Sequence, residues 1–340
     1  VARVLERVTA TVREHEMFPP GELVLVCVSG GPDSVCLVES LIRLRRLFRI
    51  RTAVFHFDHR LRPESARDVA YVRRLAAKHG LVFEHVEAVS GPPRGVSLEM
   101  WAREERLTAA LAVARESGAA RIATGHTLDD QAETVLMRAL SGSGAAGVAG
   151  IPPVRGPWVR PLFDVRRSQT QAFCRSLGLR PRDDPSNAEP RFLRNALRLR
   201  GLPALERAVG RDVREALART GALLREDDAE LTRQMEEVWE DVVTLHQPSP
   251  APMPVRADLR AAALKELAPP IAGRLVAKAL HRLGALATRA DVLAVVDLAQ
   301  GRPGRERSLS AGLRARRERG YVRIARPSPE PRTTRGKGRA

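Results

Sequence analysis

The chain has 340 residues, 44% of them hydrophobic, with 57 basic against 40 acidic residues and a formal net charge of +17. That is enough for two domains with sizeable cores, and no run approaches the ~20 apolar residues of a membrane span. The three cysteines, Cys27, Cys36 and Cys174, form no CxxC pair, which argues against a zinc ribbon or a cysteine-ligated iron–sulfur cluster.

VARVLERVTATVREHEMF (1–18) has the spacing of an amphipathic helix carrying Glu and Arg. It lacks the apolar centre and small-residue cleavage site of a signal peptide, so a cytoplasmic, membrane-free protein is expected. Strands and helices then alternate. Strands are predicted at 23–28, 52–58, 81–88, 120–125 and 158–163. Helices are predicted at 34–48, 63–80, 97–118, 128–140 and 165–178, two of them closed by Gly80 and Gly118. The alternation predicts an α/β fold, a doubly wound parallel sheet covered on both faces. Ligands of such sheets bind at the carboxyl ends of the strands. SGGPDS, HFDHRLR and GHTLDD each follow a strand directly and are expected on one edge.

From about residue 200 the pattern reads as long helix as far as His246. QPSPAPMP (247–254) is a Pro-rich break and a predicted linker. Helical stretches follow around 258–283 and 289–299, then a basic hairpin or strand pair in SLSAGLRARRERGYVRIAR. The expected organisation is a nucleotide-binding catalytic domain over 1–215, and a mostly helical linker with a smaller α+β domain over 216–327. A basic, disordered tail is expected over 328–340.

Only four of the basic residues are lysines, so arginine abundance partly reflects compositional bias. Their distribution says more. Residues 301–340 hold 13 basic and 3 acidic residues, a concentration that favours a polyanionic partner, nucleic acid above all. With 4% aromatic residues, stacking platforms are scarce, so binding is expected to rest on charge and shape and to weaken with salt.

In SGGPDS, Gly30 and Gly31 let backbone N–H groups approach an anion. The helix starting near Ser34 adds its positive end, and Ser29 and Ser34 add hydroxyls. A Walker loop would carry a lysine for the β- and γ-phosphates. Asp33 stands here instead, and it repels phosphate unless a divalent cation lies between them. The loop therefore suits Mg²⁺-pyrophosphate as a leaving group, with attack at the α-phosphate and formation of an adenylate. A tight turn without ligand, with Asp33 capping the helix, is the plain alternative.

SGGPDS after a strand resembles the SGGxDS loop of the PP-loop ATP pyrophosphatases. HFDHRLR (56–62), GHTLDDQAET (125–134) and DDPSNAEPRFLRNALR (183–198) then resemble, in family order, three motifs of the tRNA(Ile)-lysidine synthases. That resemblance implies modification of the wobble cytidine of a CAU-anticodon isoleucine tRNA. ATP adenylates the cytosine O2, and free lysine then attacks C2 and displaces AMP.

The resemblance assigns Ser29, Gly30, Gly31, Pro32, Asp33 and Ser34 to ATP, with Asp33 toward Mg²⁺-pyrophosphate. Asp33, Asp130, Glu133 and Arg106 are the expected catalytic residues. His126, Asp129, Arg103, Arg194, Asn195 and Arg198 are expected to bind substrate. Asp129, Asp130 and Glu133 share helix faces and suit lysine ammonium groups or Mg²⁺, although acids also favour a first helical turn capped by Thr127. Glu99, Arg103 and Arg106 share another face, matching the family's ExxxR..R pattern; a surface ion pair is the alternative. His56, Asp58 and His59 read as lining the nucleotide or tRNA pocket more than as metal ligands, with Arg60 and Arg62 as candidate phosphate contacts.

LSGSGAAGVAGIPPV (140–154) departs from the family, being softer than the arginine- and glycine-rich turn expected there, with Ser141 at an often basic position. The rival readings are a tRNA-thiolating PP-loop enzyme, for which Cys174 is the one suitable thiol, and a non-catalytic RNA-binding protein. The sequence leaves the oligomeric state open, a homodimer included.

Overall fold

The computed structural model describes residues 1–61, 65–182, 193–248 and 253–327. The chain divides into two compact units, Val1–Arg225 and Glu226–Ala340.

The first unit is built on the predicted alternation. Its strands are β1 (Leu23–Cys27), β2 (Arg51–Asp58), β3 (Phe83–Glu87), β4 (Ala119–Ala123), β5 (Val154–Arg155) and β6 (Trp158–Val159). They form a six-stranded sheet of order β3-β2-β1-β4-β6-β5. Every pair is parallel except the short β5–β6 pair. The helices are α1 (Ala2–Glu14), α2 (Pro32–Phe48), α3 (Ser65–Lys78), α4 (Leu98–Glu116), α5 (Leu128–Leu140), α6 (Ala145–Val148) and α7 (Arg167–Ser176).

The core has two parts, one on each face of the sheet. Val8 and Val12 of α1, Val35 and Leu41 of α2, and Phe173 of α7 pack with Val24, Val26 and Val54 on one face. Trp101, Ala110 and Val113 of α4 pack with Leu25, Phe55, Phe57 and Ile122 on the other. Side chains alternate across a strand, so β1 and β2 feed both cores in turn. Two-sided burial of this kind is why these strands read as continuous apolar runs.

A helical run then comprises α8 (Leu193–Ala196), a π-helical turn over Leu197–Gly201 and α9 (Leu202–Val209). The long helix α10 (Arg214–Val242) runs through the division between the units.

The second unit is an antiparallel sheet with helices. β7 (Val243–His246), β8 (Arg256–Arg260), β9 (Glu306–Ser308), β10 (Arg314–Arg317) and β11 (Tyr321–Ala325) take the order β7-β8-β11-β10-β9. Helices α11 (Ala261–Glu266), α12 (Pro269–Arg282) and α13 (Arg289–Gln300) complete it. Met235 and Trp239 pack there with Leu259, Leu275, Val276, Leu298 and Ile324 in a core of its own. The predicted basic strand pair is β10–β11, and it belongs to a larger sheet than expected. The run read as helix to His246 stops at Val242, and VTLH pairs with β8. The stretch read as one helix over 258–283 is β8, α11 and α12, broken where Pro269 starts a new helix.

No helix among the described residues is long and apolar enough to cross a membrane. Arg62, the DDPSN part of the fourth motif and the 328–340 tail lie outside the described residues.

Candidate active site

The loop after β1 turns on Gly30, whose φ of +95° strains any residue with a Cβ. Its N–H donates to Ser34 Oγ at 3.2 Å, and that hydroxyl donates to the Gly31 carbonyl at 2.9 Å. Ser29 Oγ lies 3.3 Å from Ser34 Oγ. Gly31 is the N-cap of α2 and Pro32 opens its first turn, so the unpaired N–H groups of that turn gather at the end of β1.

Two further segments close on this loop. The N–H of Arg182 donates to the Gly30 carbonyl at 2.9 Å. At Gly125, which follows β4, a Cβ would stand 3.2 Å from both the Asp33 carbonyl carbon and the Ser34 nitrogen. The glycine of GHTLDD is there because two backbones meet.

Beside the loop three carboxylates share three guanidinium groups. Arg167, the first residue of α7, donates to Asp33 at 3.2 Å, Asp130 at 2.7 Å and Glu133 at 3.0 Å. Arg194 on α8 donates to Asp130 at 2.8 Å and Glu133 at 2.9 Å. Arg198, on the π-helical turn, donates to Glu133 at 2.7 Å and 2.9 Å. The Thr170 hydroxyl bonds the second oxygen of Asp33. Asp130 also completes the capping box of α5, taking the Thr127 N–H at 2.8 Å. Asp129 stands just outside the cluster, accepting from the Arg167 N–H at 2.8 Å and pairing with Arg214 at 3.2 Å.

Burial alone would raise all three carboxyl pKa values, and the environments sort them. For Asp130, burial is outweighed by Arg167 and Arg194, which hold it well below the usual range. Glu133 is likewise lowered, with the Arg198 bond opposing burial. For Asp33, burial wins over Arg167 and Thr170, and its pKa lies above the usual value. Asp130 and Glu133 therefore stay ionised, whereas Asp33 gains most from a cation.

A cationic wall adjoins the cluster. Arg106 is half-buried and makes no ion pair with any described residue. Burial pushes its pKa down, and Arg103 and Arg194 push the same way. Arg103 is exposed. No ion pair joins it to Glu99 among the described residues. His126 donates to or accepts from Thr124 Oγ1 at 2.8 Å. Its pKa falls to about 3, by burial first, with Asp130 opposing and Arg160, Arg194 and Arg106 pushing the same way as burial. It is therefore neutral at physiological pH. Asn195 sits half-buried beside Arg194.

The structure thus brings together Ser29 through Ser34, His126, Asp130, Glu133, Arg106, Arg194 and Arg198. Sequence reasoning missed Arg167, Thr170 and Arg160. Arg167 and Thr170 open a helix after a strand-to-helix junction, as the other motifs do, which was the available signal.

A family profile described as a PP-loop domain matches residues 3–205. A tRNA(Ile)-lysidine synthase from Leifsonia xyli subsp. xyli is 41% identical over 236 residues, covering 68% of this chain and 69% of that one. This chain belongs to the tRNA(Ile)-lysidine synthase family. The lysidine synthase from Symbiobacterium thermophilum is 46% identical over 241 residues, 68% of this chain and 50% of that protein. The one from Thermus thermophilus is 37% identical over 313 residues, 91% of this chain and 58% of that protein. The chain spans about half the length of most curated lysidine synthases it matches. Among solved structures, the U34-tRNA thiolase NcsA from Methanococcus maripaludis aligns with a TM-score of 0.55 at 15% identity, over 66% of this chain and 79% of that one. At that identity the likeness is one of fold.

Proposed function

We propose that this chain joins free lysine to C2 of the wobble cytidine of a CAU-anticodon isoleucine tRNA, consuming ATP and releasing AMP and pyrophosphate. The cytosine O2 attacks the α-phosphate and pyrophosphate leaves. The lysine amine then attacks C2, and O2 departs with AMP. The supporting observation is the single network in which Arg167 links Asp33 of the nucleotide loop to Asp130 and Glu133.

The loop Ser29–Ser34 offers backbone and hydroxyl donors to the nucleotide phosphates. Asp33 is a hard oxygen donor at the mouth of that loop and gains from a cation, so the residues present fit Mg²⁺. Bound there, Mg²⁺ would neutralise charge on the departing pyrophosphate. Arg106, which pairs with no carboxylate among the described residues, and neutral His126 suit the adenylate and the cytosine carbonyl. Asp130 and Glu133 are ionised and suit the lysine ammonium groups, with Asp129 next to them. Arg103, Arg194, Asn195 and Arg198 suit the tRNA phosphates, the base edge and the lysine carboxylate.

The network also implies an order. Its carboxylates are already matched by Arg167, Arg194 and Arg198. An incoming ammonium needs one of these arginines to leave, and an anionic nucleotide is what draws it away. Lysine is therefore expected to bind after the adenylate forms.

Sulfur transfer, the enzymatic rival, finds little support. Cys36 and Cys174 are buried, and burial pushes the thiols of Cys27 and Cys174 up to about 12, away from nucleophilic thiolate. The deciding experiment is incorporation of radiolabelled lysine into a CAU-anticodon isoleucine tRNA transcript with ATP and Mg²⁺. The expected result is incorporation that a wobble C-to-U change abolishes. AMP release without incorporation would keep the adenylation and reassign the nucleophile.

A further inference from the structure

The parallel pairing of β2 with β3 sets His56 against His85 and Asp58 against Glu87. Side chains two apart on a strand share a face, so these residues form a two-by-two array on one side of the sheet. The sequence alone ranks a metal site in HFDH below a role in the nucleotide or tRNA pocket, because residues this close along one strand seldom converge on one ion. The convergence comes from the adjacent strand.

One donor atom each from Asp58, His85 and Glu87 lies within 4.8 Å of the other two. The ligands of a tetrahedral zinc with bonds of about 2.1 Å stand about 3.4 Å apart. Glu87 is half-exposed, and rotation of its side chain closes the difference. Asp58 is buried, steadied by the Arg60 N–H at 2.8 Å and the Ser65 hydroxyl at 3.1 Å.

An independent observation points at the same spot. His85 Nε2 is buried and has no hydrogen-bond partner among the described residues. Glu87 Oε1 is 3.9 Å away, too far for a hydrogen bond. A buried polar nitrogen left this way costs free energy. A cation between the imidazole and the carboxylates of Asp58 and Glu87 would give that nitrogen a partner. The ring itself is held in plane, stacked between His56 and Phe83 at centroid distances of 5.9 and 6.0 Å. His56 contributes by position, since its Nδ1–H donates to the Val28 carbonyl at 2.7 Å.

We propose that Asp58, His85 and Glu87 form a divalent transition-metal site, separate from the nucleotide loop, with zinc-class ions as its ligand. One imidazole and two carboxylates make a neutral complex with an M²⁺ ion. The nitrogen donor disfavours Mg²⁺ and Ca²⁺ and suits Zn²⁺ or Co²⁺. The ion joins the carboxyl ends of β2 and β3. One cation already competes: Arg60 Nη1 lies 3.6 Å from Glu87 Oε2.

The test uses the full chain, stripped with a chelator and titrated with Co²⁺ and then Zn²⁺. The expected result is one equivalent of Co²⁺ with visible ligand-field bands, displaced by Zn²⁺. His85→Ala should weaken binding about 100-fold and Glu87→Gln about tenfold, the range found when metal-site partners are lost. Glu87 is half-exposed, so the second variant keeps the fold. Arg60→Ala should tighten binding, an effect that loss of structure would not produce. Absence of the bands in the unaltered chain, or binding unchanged in both His85→Ala and Glu87→Gln, overturns the site.

Discussion

Arg167 sets the charge balance of the candidate site. It holds three carboxylates at once, and its removal leaves Asp33, Asp130 and Glu133 with less counter-charge in a largely buried place. Breaking a buried pair by removing one partner costs about 3 kcal/mol. Arg167→Ala should lower unfolding free energy by about that amount in urea titrations. Arg167→Lys, one charge without the fork, should restore stability in part but not the lysine KM. Equal KM values for lysine in the unaltered chain and the lysine variant would remove Arg167 from the amine pocket.

Gly125 gives a second residue-scale test, because its role is steric. A Cβ 3.2 Å from the Asp33–Ser34 backbone must push the loop away from β4. Displacements of about 1 Å in a site cost about 100-fold in rate. Gly125→Ala should therefore depress AMP release about 100-fold while the melting temperature moves by only a few degrees. His126 supplies the pH test. Its folded pKa is near 3, lowered by burial, so the unfolded chain takes up a proton first as pH falls below about 6.5. The neutral folded form is fully favoured above that value. Below it stability is lost by up to about 1.4 kcal/mol per pH unit, until the folded pKa is reached. Urea titrations between pH 6.5 and 5 should show this slope, and His126→Asn should flatten it. His56, which burial lowers, adds to this slope, and Asp33, which burial raises, opposes it.

At the scale of elements, local signals were legible and distant pairings were not. Helix α5 was predicted at 128–140 and runs Leu128–Leu140, because its start is written in TLDD and its apolar spacing never falters. SGGPDS and GHTLDD follow β1 and β4, where side chains and helix termini gather, whereas HFDHRLR begins inside β2, whose last residues are His56, Phe57 and Asp58. Arg167 went unseen because its partners are 34 to 134 positions away in sequence. VTLH reads as helix because Val242 and Val243 continue the apolar spacing of α10. Its β-branched residues only become strand through pairing with β8, across the Pro-rich break. The same TxxD box that starts α5 also starts α13, where Thr288 and Asp291 cap each other. In α5 the box carries Asp130 and serves the site; in α13 its Asp291 also accepts the Ser310 N–H at 2.9 Å and so ties the helix to the turn before β10. Thr288→Ala should therefore cost about 1 kcal/mol of stability and leave AMP release unchanged. Thr127→Ala should cost as much and also slow turnover.

At the scale of the whole molecule, charge is the property that the two compact units share and that neither core explains. The formal net charge is +17, and residues 301–340 carry 13 basic and 3 acidic residues. With 4% aromatic residues there is little stacking to hold a strand when salt is raised. RNA affinity should then follow counterion release. A contact surface of about six phosphates predicts a loss of about 1,000-fold between 50 and 200 mM salt. The contribution of 328–340 can be separated by charge alone. That segment holds four basic residues and one acidic residue, so its deletion can reduce the slope of log affinity against log salt by about 4 at most. Measured by filter binding across a salt series, the truncated chain should keep its affinity at low salt within about tenfold. Lysine incorporation should persist, since every residue of the proposed site precedes Arg200. A slope unchanged by the deletion would assign the RNA contacts to the folded units. Abolished incorporation at low salt would instead make the segment part of the reaction site and redraw the boundary of the catalytic machinery.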